Sequence, residues 1–373
     1  MAVDETLISK YFNWSDAKIV AFQKALLEWY DRDGRQLPWR VDHDPYHVFV
    51  SEIMLQQTQV QTVIPYYLDF IASFPTVGEL ASAPESKLLK AWEGLGYYSR
   101  VRNMQKAAQQ IMRDYAGQWP TTAAKLQTLT GIGPYTAAAI ASIAFNQPIA
   151  AIDGNAFRVF ARLLKIDLDI SKSQTRPVFQ AIGDRLISVA RPGDFNQAIM
   201  DLGTSYLTAK QPDAEHSPVR DFDESLADGT TLAYPVKTKK AKPIDFYYYA
   251  LAIQSPEGWL FEQRPTKGML ARLWMLPLID RDDLTTSDPK EVLAELSTLF
   301  QQETEIHAEF HEVEMKPVIH TFTHQKWHIQ IVQAKLTSTP NLSLFPGKWL
   351  SLAAIAEAPL PTVQLKLNQQ LFV

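Results

Sequence analysis

Two carboxylates in this sequence stand in company that suits chemistry. Glu52 lies inside the apolar run VFVSEIML (Val48 to Leu55), and Asp153 leads the triplet Asp153-Gly154-Asn155 into the apolar segment Ala156 to Leu164. A carboxyl group among apolar neighbours keeps its proton to higher pH. A carboxylate at a helix N-terminus is held ionised by the unpaired N–H groups and the dipole there. One proton donor and one fixed anion are what cleavage of a glycosidic bond requires: an acid for the leaving group and a negative charge beside the developing cation. Taken singly, the residues leave simpler readings open, since a helical Glu is usually a solvated surface charge and Asp commonly does no more than cap a helix.

The elements that must position this pair follow from the local pattern. The stretch Leu126 to Asn155 predicts a short helix from Ala123 to Leu129, a Gly131-Ile132-Gly133 turn, and a second helix from Pro134 to about Asn146. Two glycines permit positive φ, and Pro suits the first helical turn. The free N–H groups of such a turn suit a phosphate oxygen. Asp153 follows Gly133 by 20 residues. Upstream, Ser15 caps a helix carrying Ile19, Phe22, Leu26 and Trp29 at helical spacing, which stops at Asp31 to Gly34. Next comes RQLPWR, Arg35 to Arg40, where Trp39 reads as a core or hinge aromatic. Asp44-Pro45-Tyr46 then opens a helix that the pattern carries through Glu52 and past Gln56-Gln57-Thr58. Thr76 with Glu79, and Ser82 with Glu85, form capping-box patterns. The loop EGLGYYSRVRN, Glu93 to Asn103, interleaves Tyr97 and Tyr98 with Arg100 and Arg102, as a DNA-contact loop would, or else is a helix end with two half-buried tyrosines.

Composition sets the outer bounds. The chain has 373 residues, 46% of them hydrophobic, which suffices for two ordinary cores. Zero cysteines exclude disulfides, thiolate catalysis and any Cys-ligated metal, and the 8 histidines show no zinc spacing. No leader-like start and no long apolar run is present, which leads us to expect a soluble, cytoplasmic protein of bacterial type, associated with the nucleoid and not with a membrane. The net charge of −5 is spread so that only residues 227–243, with 4 Lys/Arg against 1 Asp/Glu, are basic. Duplex binding would therefore rest on local patches and backbone amides.

LPWR, SEIMLQQT, GLGYYSRVRN, LTGIGPYTAAAI and AIDGNAFRV, in that order across residues 20–225, resemble the MutY family of adenine DNA glycosylases, within the helix-hairpin-helix glycosylase superfamily. The resemblance implies an all-helical glycosylase domain over residues 1–226, and an enzyme that flips out and removes adenine mispaired with 8-oxoguanine, or more weakly with G, in double-stranded DNA. It makes Glu52 the acid that protonates adenine and Asp153 the carboxylate that stabilises the sugar cation. Tyr135 and Asn155 then hold the carboxylates and water. Arg35, Trp39 and Leu55 line the adenine pocket, Gln57 and Tyr97 enter the duplex, Arg40 and Thr58 bind substrate or DNA, and Gly131 and Gly133 hold phosphate. Relatives that also cut the strand carry a Lys where this chain has Tyr135, so a monofunctional glycosylase is expected. The runner-up is an endonuclease III-like enzyme for oxidised pyrimidines; from another class, a non-catalytic lesion-binding protein.

Two departures shape the rest. The family's four iron–sulfur cysteines align with Leu207, Ala214, Ser217 and Asp223 in the segment 201–226, so no cofactor is expected, and the chain is similar to a cluster-lacking branch. His216 with Asp223 offers only a weak alternative ion site. After a Lys- and Pro-containing linker, residues 227–243, period-two patterns in FYYYALAIQ, GWLFEQRP and WHIQIVQAKL, plus a helix from Pro289 to Gln302, predict a mixed α+β domain over 244–373. EQRPTKGMLARLWMLP resembles the MutT/Nudix-like domain of the same family, but no acidic residue follows Gly268 until Asp280, which argues against pyrophosphatase chemistry. Phe322, Thr323 and His324 stand where the family reads 8-oxoguanine, with Thr in place of its Ser. A monomer is expected, with replication or repair proteins as possible contacts that the residues do not identify.

Overall fold

The computed structural model describes residues 5–239, 241–343 and 345–372. The chain divides into two compact units, Met1–Ala83 with Ser99–Lys239, and Pro84–Tyr98 with Lys240–Val373. The second unit thus takes in a piece of the N-terminal half, including the first part of the Tyr97 loop. Among the described residues no helix is long and apolar enough to cross a membrane.

The first unit is helical. The helices that build the site are α1 (Asp16–Asp33), α2 (Pro45–Met54), α3 (Val60–Ser73), α4 (Ala123–Leu126), α5 (Pro134–Phe145), α6 (Gly154–Leu163), α7 (Arg176–Leu186) and α8 (Pro192–Ser205). Ser15 caps α1 through the N–H of Lys18, as its sequence predicts. Helix α2 is buried on every side from Val48 to Met54, and α5 from Thr136 to Ile143, so both are core helices, and they pack against each other. A core of Phe22, Leu26, Phe160, Phe179, Phe195 and Leu202 joins α1, α6, α7 and α8.

The second unit is built on a mixed sheet. Its long strand β1 (Ile244–Ser255) pairs in parallel with β2 (Gln325–Lys335), and the antiparallel strand Val318–Thr321 extends the sheet beyond β2. Alternate β1 residues face opposite cores: Ala250 and Ala252 pack on one side, Leu251 and Ile253 on the other. Helix α9 (Pro289–Thr304), capped by Asp288, covers the second face, and α10 (Thr362–Leu371) the first.

Three local expectations change. The helix that opens at Pro45 stops at Met54 instead of running on through Thr58. Ser82 does not cap the next helix; its hydroxyl donates back to the carbonyls of Gly78 and Glu79, and Pro84 takes the cap position. Of the two hairpin glycines only Gly131 has positive φ, 79°, and a Cβ there would lie 2.6 Å from the Asn103 Cβ. Gly133 has ordinary extended geometry with open space where a Cβ would be, so its role is to leave access, not to supply a turn.

Candidate active site

Glu52 sits near the C-terminal end of α2 and is only 6% exposed. It lines a cavity of about 1000 Å³ in the first unit, together with Asp153, Tyr135 and Asn155. Arg35, Trp39, Arg40, Leu55, Gln57 and Thr58 complete one side of the same cavity. Residues far apart in sequence therefore line one cavity. Gly131 and Gly133 lie outside it, at the α4–α5 hairpin, and Tyr97, Phe322, Thr323 and His324 belong to the second unit, where the Tyr97 hydroxyl and Thr323 Oγ1 are 2.9 Å apart.

The two carboxyls differ by environment. The Tyr135 hydroxyl, brought in by the first turn of α5, donates to Glu52 Oε2 at 2.5 Å. Burial pushes the Glu52 carboxyl up to about 7; the Tyr135 bond opposes this, the nearby Asp153 charge adds to it, and Arg40 offsets part. Burial and the two neighbouring acids also push the Tyr135 phenol well above its usual range, so it stays a donor. Asp153 both caps α6 and lines the cavity, so the capping role leaves the side chain facing the site. Its Oδ1 accepts from the Ala156 N–H at 2.7 Å and its Oδ2 from Asn155 Nδ2 at 2.8 Å. Burial raises the Asp153 carboxyl, while those hydrogen bonds and the Arg158 charge pull it back. Asn155 is held in turn: Arg158 Nη2 donates to Asn155 Oδ1 at 2.7 Å and to the Gly203 carbonyl at 2.6 Å, and its Nε to the Leu207 carbonyl at 2.8 Å. That contact needs Gly203, where a Cβ would come within 2.7 Å of Asn155.

The end of α2 is fixed by a cation. Arg100, which its sequence context offers for phosphate, donates from Nη1 to the carbonyls of Ile53, Met54 and Gln56. The chain then turns through Gln57 at φ 59° before Gln59 opens α3. A non-glycine residue in the left-handed region costs of order 1 kcal/mol and clusters at functional positions; Tyr97, at φ 49°, is another. Gln57 is thus exposed on a short, pinned turn at the cavity mouth instead of along a helix.

Arg35 and Arg40 line the cavity but are not free to reach into it. Both grip Asp201 of α8: Arg40 Nη1 lies 2.8 Å from Oδ2, and Arg35 Nε 2.7 Å from Oδ1. Burial alone would raise the Asp201 carboxyl, but the two guanidinium groups outweigh it and hold it below its ordinary range. Trp39 is buried edge-on against Tyr67, the core role expected, while also forming cavity wall. Removing one member of a buried ion network leaves uncompensated charge. Asp201→Ala is accordingly expected to lower stability by about 3–5 kcal/mol, read as a fall in Tm; a Tm within 2 °C of wild type, at roughly 2–4 °C per kcal/mol, would show that water replaces the carboxylate.

Arg176, Gln197, Met200 and Thr204 also line the cavity and were not singled out from sequence. Gln197, Met200 and Thr204 recur at helical spacing along α8, so they share one face of it. Arg176 has no such local signal.

The segment aligned with the cluster cysteines is packed into the helical unit. Leu207 and Ala214 join the helical core, and Asp223 Oδ1 accepts from the N–H groups of Ser225 and Leu226. His216 pairs with Asp213, and no group of acids and histidines fit for a metal occurs among the described residues. These residues do not fit a four-thiolate cluster. Buried Arg162 supplies a tie instead, donating to the carbonyls of Thr208, Thr231 and Tyr234.

Residues 50–183 match the family described as HhH-GPD superfamily base excision DNA repair protein, and residues 248–370 match the NUDIX domain. Adenine DNA glycosylase of Rattus norvegicus is 33% identical over 97% of this chain and 80% of its own length, and that of Homo sapiens 33% identical over 96% and 76%. The enzyme of Buchnera aphidicola subsp. Schizaphis graminum is 28% identical over 92% and 96%. In fold, the chain is similar to a thermostable thymine-DNA glycosylase, with a TM-score of 0.51 and 24% identity over 57% of this chain and 98% of that one. The chain therefore belongs to the adenine DNA glycosylases of the HhH-GPD superfamily, enzymes of base excision repair that bind duplex DNA and cleave adenine from it.

Proposed function

We propose that the enzyme removes adenine opposite 8-oxoguanine, and more slowly adenine opposite G, as a monofunctional monomer working without an iron–sulfur cluster in the bacterial cytoplasm. The observation that carries the catalytic part is the meeting of Glu52 and Asp153 on one cavity. An adenine in the stack is out of reach, so it must be extruded at a cost of roughly a few kcal/mol, which side chains entering the duplex offset. Gln57 and Tyr97 are the residues proposed to enter, and the hairpin amides at Gly131 and Gly133 to hold phosphate. Glu52 delivers its proton to the adenine ring; because Tyr135 donates to Oε2, that proton is carried by Oε1. Asp153, its oxygens steered by Asn155 and Ala156, faces the sugar as positive charge develops there. Leaving adenine takes the bonding electron pair, and water completes the sugar.

Strand cleavage would need an amine to form a Schiff base. Tyr135 stands where the cutting relatives carry Lys, and its phenol is committed to Glu52. The opposite base is assigned to the Phe322-Thr323-His324 turn. The test uses excess protein on duplexes holding A:8-oxoG, A:G or an oxidised pyrimidine. Adenine release fastest from A:8-oxoG, with no borohydride-trapped adduct, is expected. Equal rates on A:8-oxoG and A:G would remove the lesion assignment, and stoichiometric trapping the monofunctional one.

A further inference from the structure

Arg176 opens α7 on the cavity wall that Asp153 shares. Its Nη1 donates to the Ile152 carbonyl at 2.7 Å, and its Cζ lies 5.3 Å from the centre of the Phe157 ring. Both anchors belong to the stretch that carries Asp153, so the cation is fixed relative to that carboxylate. It nevertheless makes no ion pair with Asp153 or with any other acid among the described residues, and its remaining N–H groups have no acceptor among them. The other arginines lining the cavity, Arg35 and Arg40, are neutralised by Asp201. Among the arginines lining the cavity, Arg176 is the one without a contact ion pair, and it feels the Asp153 carboxylate only at longer range.

Its remaining donors open on the cavity, where an arriving acceptor can meet them. Its charge partly offsets that of Asp153 and so works against the reaction, since the cation forming on the sugar depends on that anion. An anion arriving with the substrate takes up the donors and relieves that opposition. The substrate's anions are its phosphodiesters, and those attached to the extruded sugar lie one deoxyribose ring from the atom that Asp153 faces. We propose that Arg176 is a phosphate-binding residue that grips a phosphodiester adjoining the extruded nucleotide, so that the flipped sugar is docked against Asp153 and the cation is neutralised in the same step. The proposal rests on the assignment of Asp153 to the sugar.

The experiment pairs Arg176→Ala and Arg176→Lys with duplexes in which the phosphate on one side or the other of the target adenosine is replaced by an uncharged methylphosphonate. Wild-type kcat/KM is expected to fall roughly tenfold at one of the two positions. Arg176→Ala should lose about as much on unmodified DNA and nothing further at that position, whereas Arg176→Lys, which keeps the charge, should remain sensitive to it. A merely structural role would leave the two losses multiplying, and multiplying losses at both positions, or a wild type indifferent to both, would overturn the proposal. If Arg176→Ala melts early, the Lys variant carries the test, and its insensitivity would overturn charge recognition. Asp153→Asn on the same duplexes separates the two readings: full adenine release by that variant defeats the sugar assignment, while an inactive Asp153→Asn with multiplying Arg176 losses defeats the phosphate site alone.

Discussion

Glu52→Gln is expected to release adenine at least about a thousandfold more slowly than wild type under single-turnover conditions, because proton donation and charge stabilisation at this site each supply factors of roughly 10²–10⁴. Glutamine keeps the volume and can still accept the Tyr135 hydrogen bond, but has no proton to give. The wild-type rate should fall as pH rises through about 7, the value to which burial pushes Glu52, as the acid form is lost. Stability gives a second readout, with a defined sign. A carboxyl raised from its ordinary 4.5 to about 7 binds its proton more tightly folded than unfolded, so the folded state loses stability as pH climbs across that window. Glu52→Gln removes the penalty, worth up to about 3 kcal/mol at pH 8. A variant both inactive and more stable at alkaline pH is the expected result. Retention of a tenth of the activity, or a flat pH profile between 6 and 8, about one unit either side of that value, would refute the assignment.

Asp153→Asn is expected to cost roughly 10²–10³-fold or more in adenine release with little change in Tm, because the substitution separates two roles that one side chain combines. Asn caps helices about as well as Asp, so α6 should keep its first turn. The amide carries no charge, and the cation developing on the sugar then loses the anion that the Asn155 and Ala156 hydrogen bonds aim at it. An equal loss of Tm and activity would mean that Asp153 matters only as a cap. Wild-type activity with an intact fold would mean that the sugar charge is met elsewhere.

The Gly131 turn, the capping of α1 by Ser15, and the start of α5 at Pro134 were legible because each is decided within four or five residues, by φ, a side-chain oxygen or a missing N–H. The end of α2 was not, because nothing between Leu55 and Gln59 forbids a helix. A guanidinium from Arg100, more than 40 residues away, takes the terminal carbonyls and allows the break at Gln57. The family resemblance places Arg35 and Arg40 at the pocket, and only the approach of α8 shows that Asp201 has claimed both.

The residues alone were enough to establish that this sequence carries no cysteine, that its two carboxyls sit in unlike local settings, and that a helical half precedes a sheet-containing one, because composition, capping and periodicity are properties of short stretches. The tertiary structure alone decided that Glu52 and Asp153, 101 positions apart, open on one cavity, that Tyr135 meets the first and Asn155 the second, and that Arg176 lines the same cavity without a contact ion pair. Burial and pairing are set by whichever distant surfaces close over a residue, and those contacts exist only once the helices have packed.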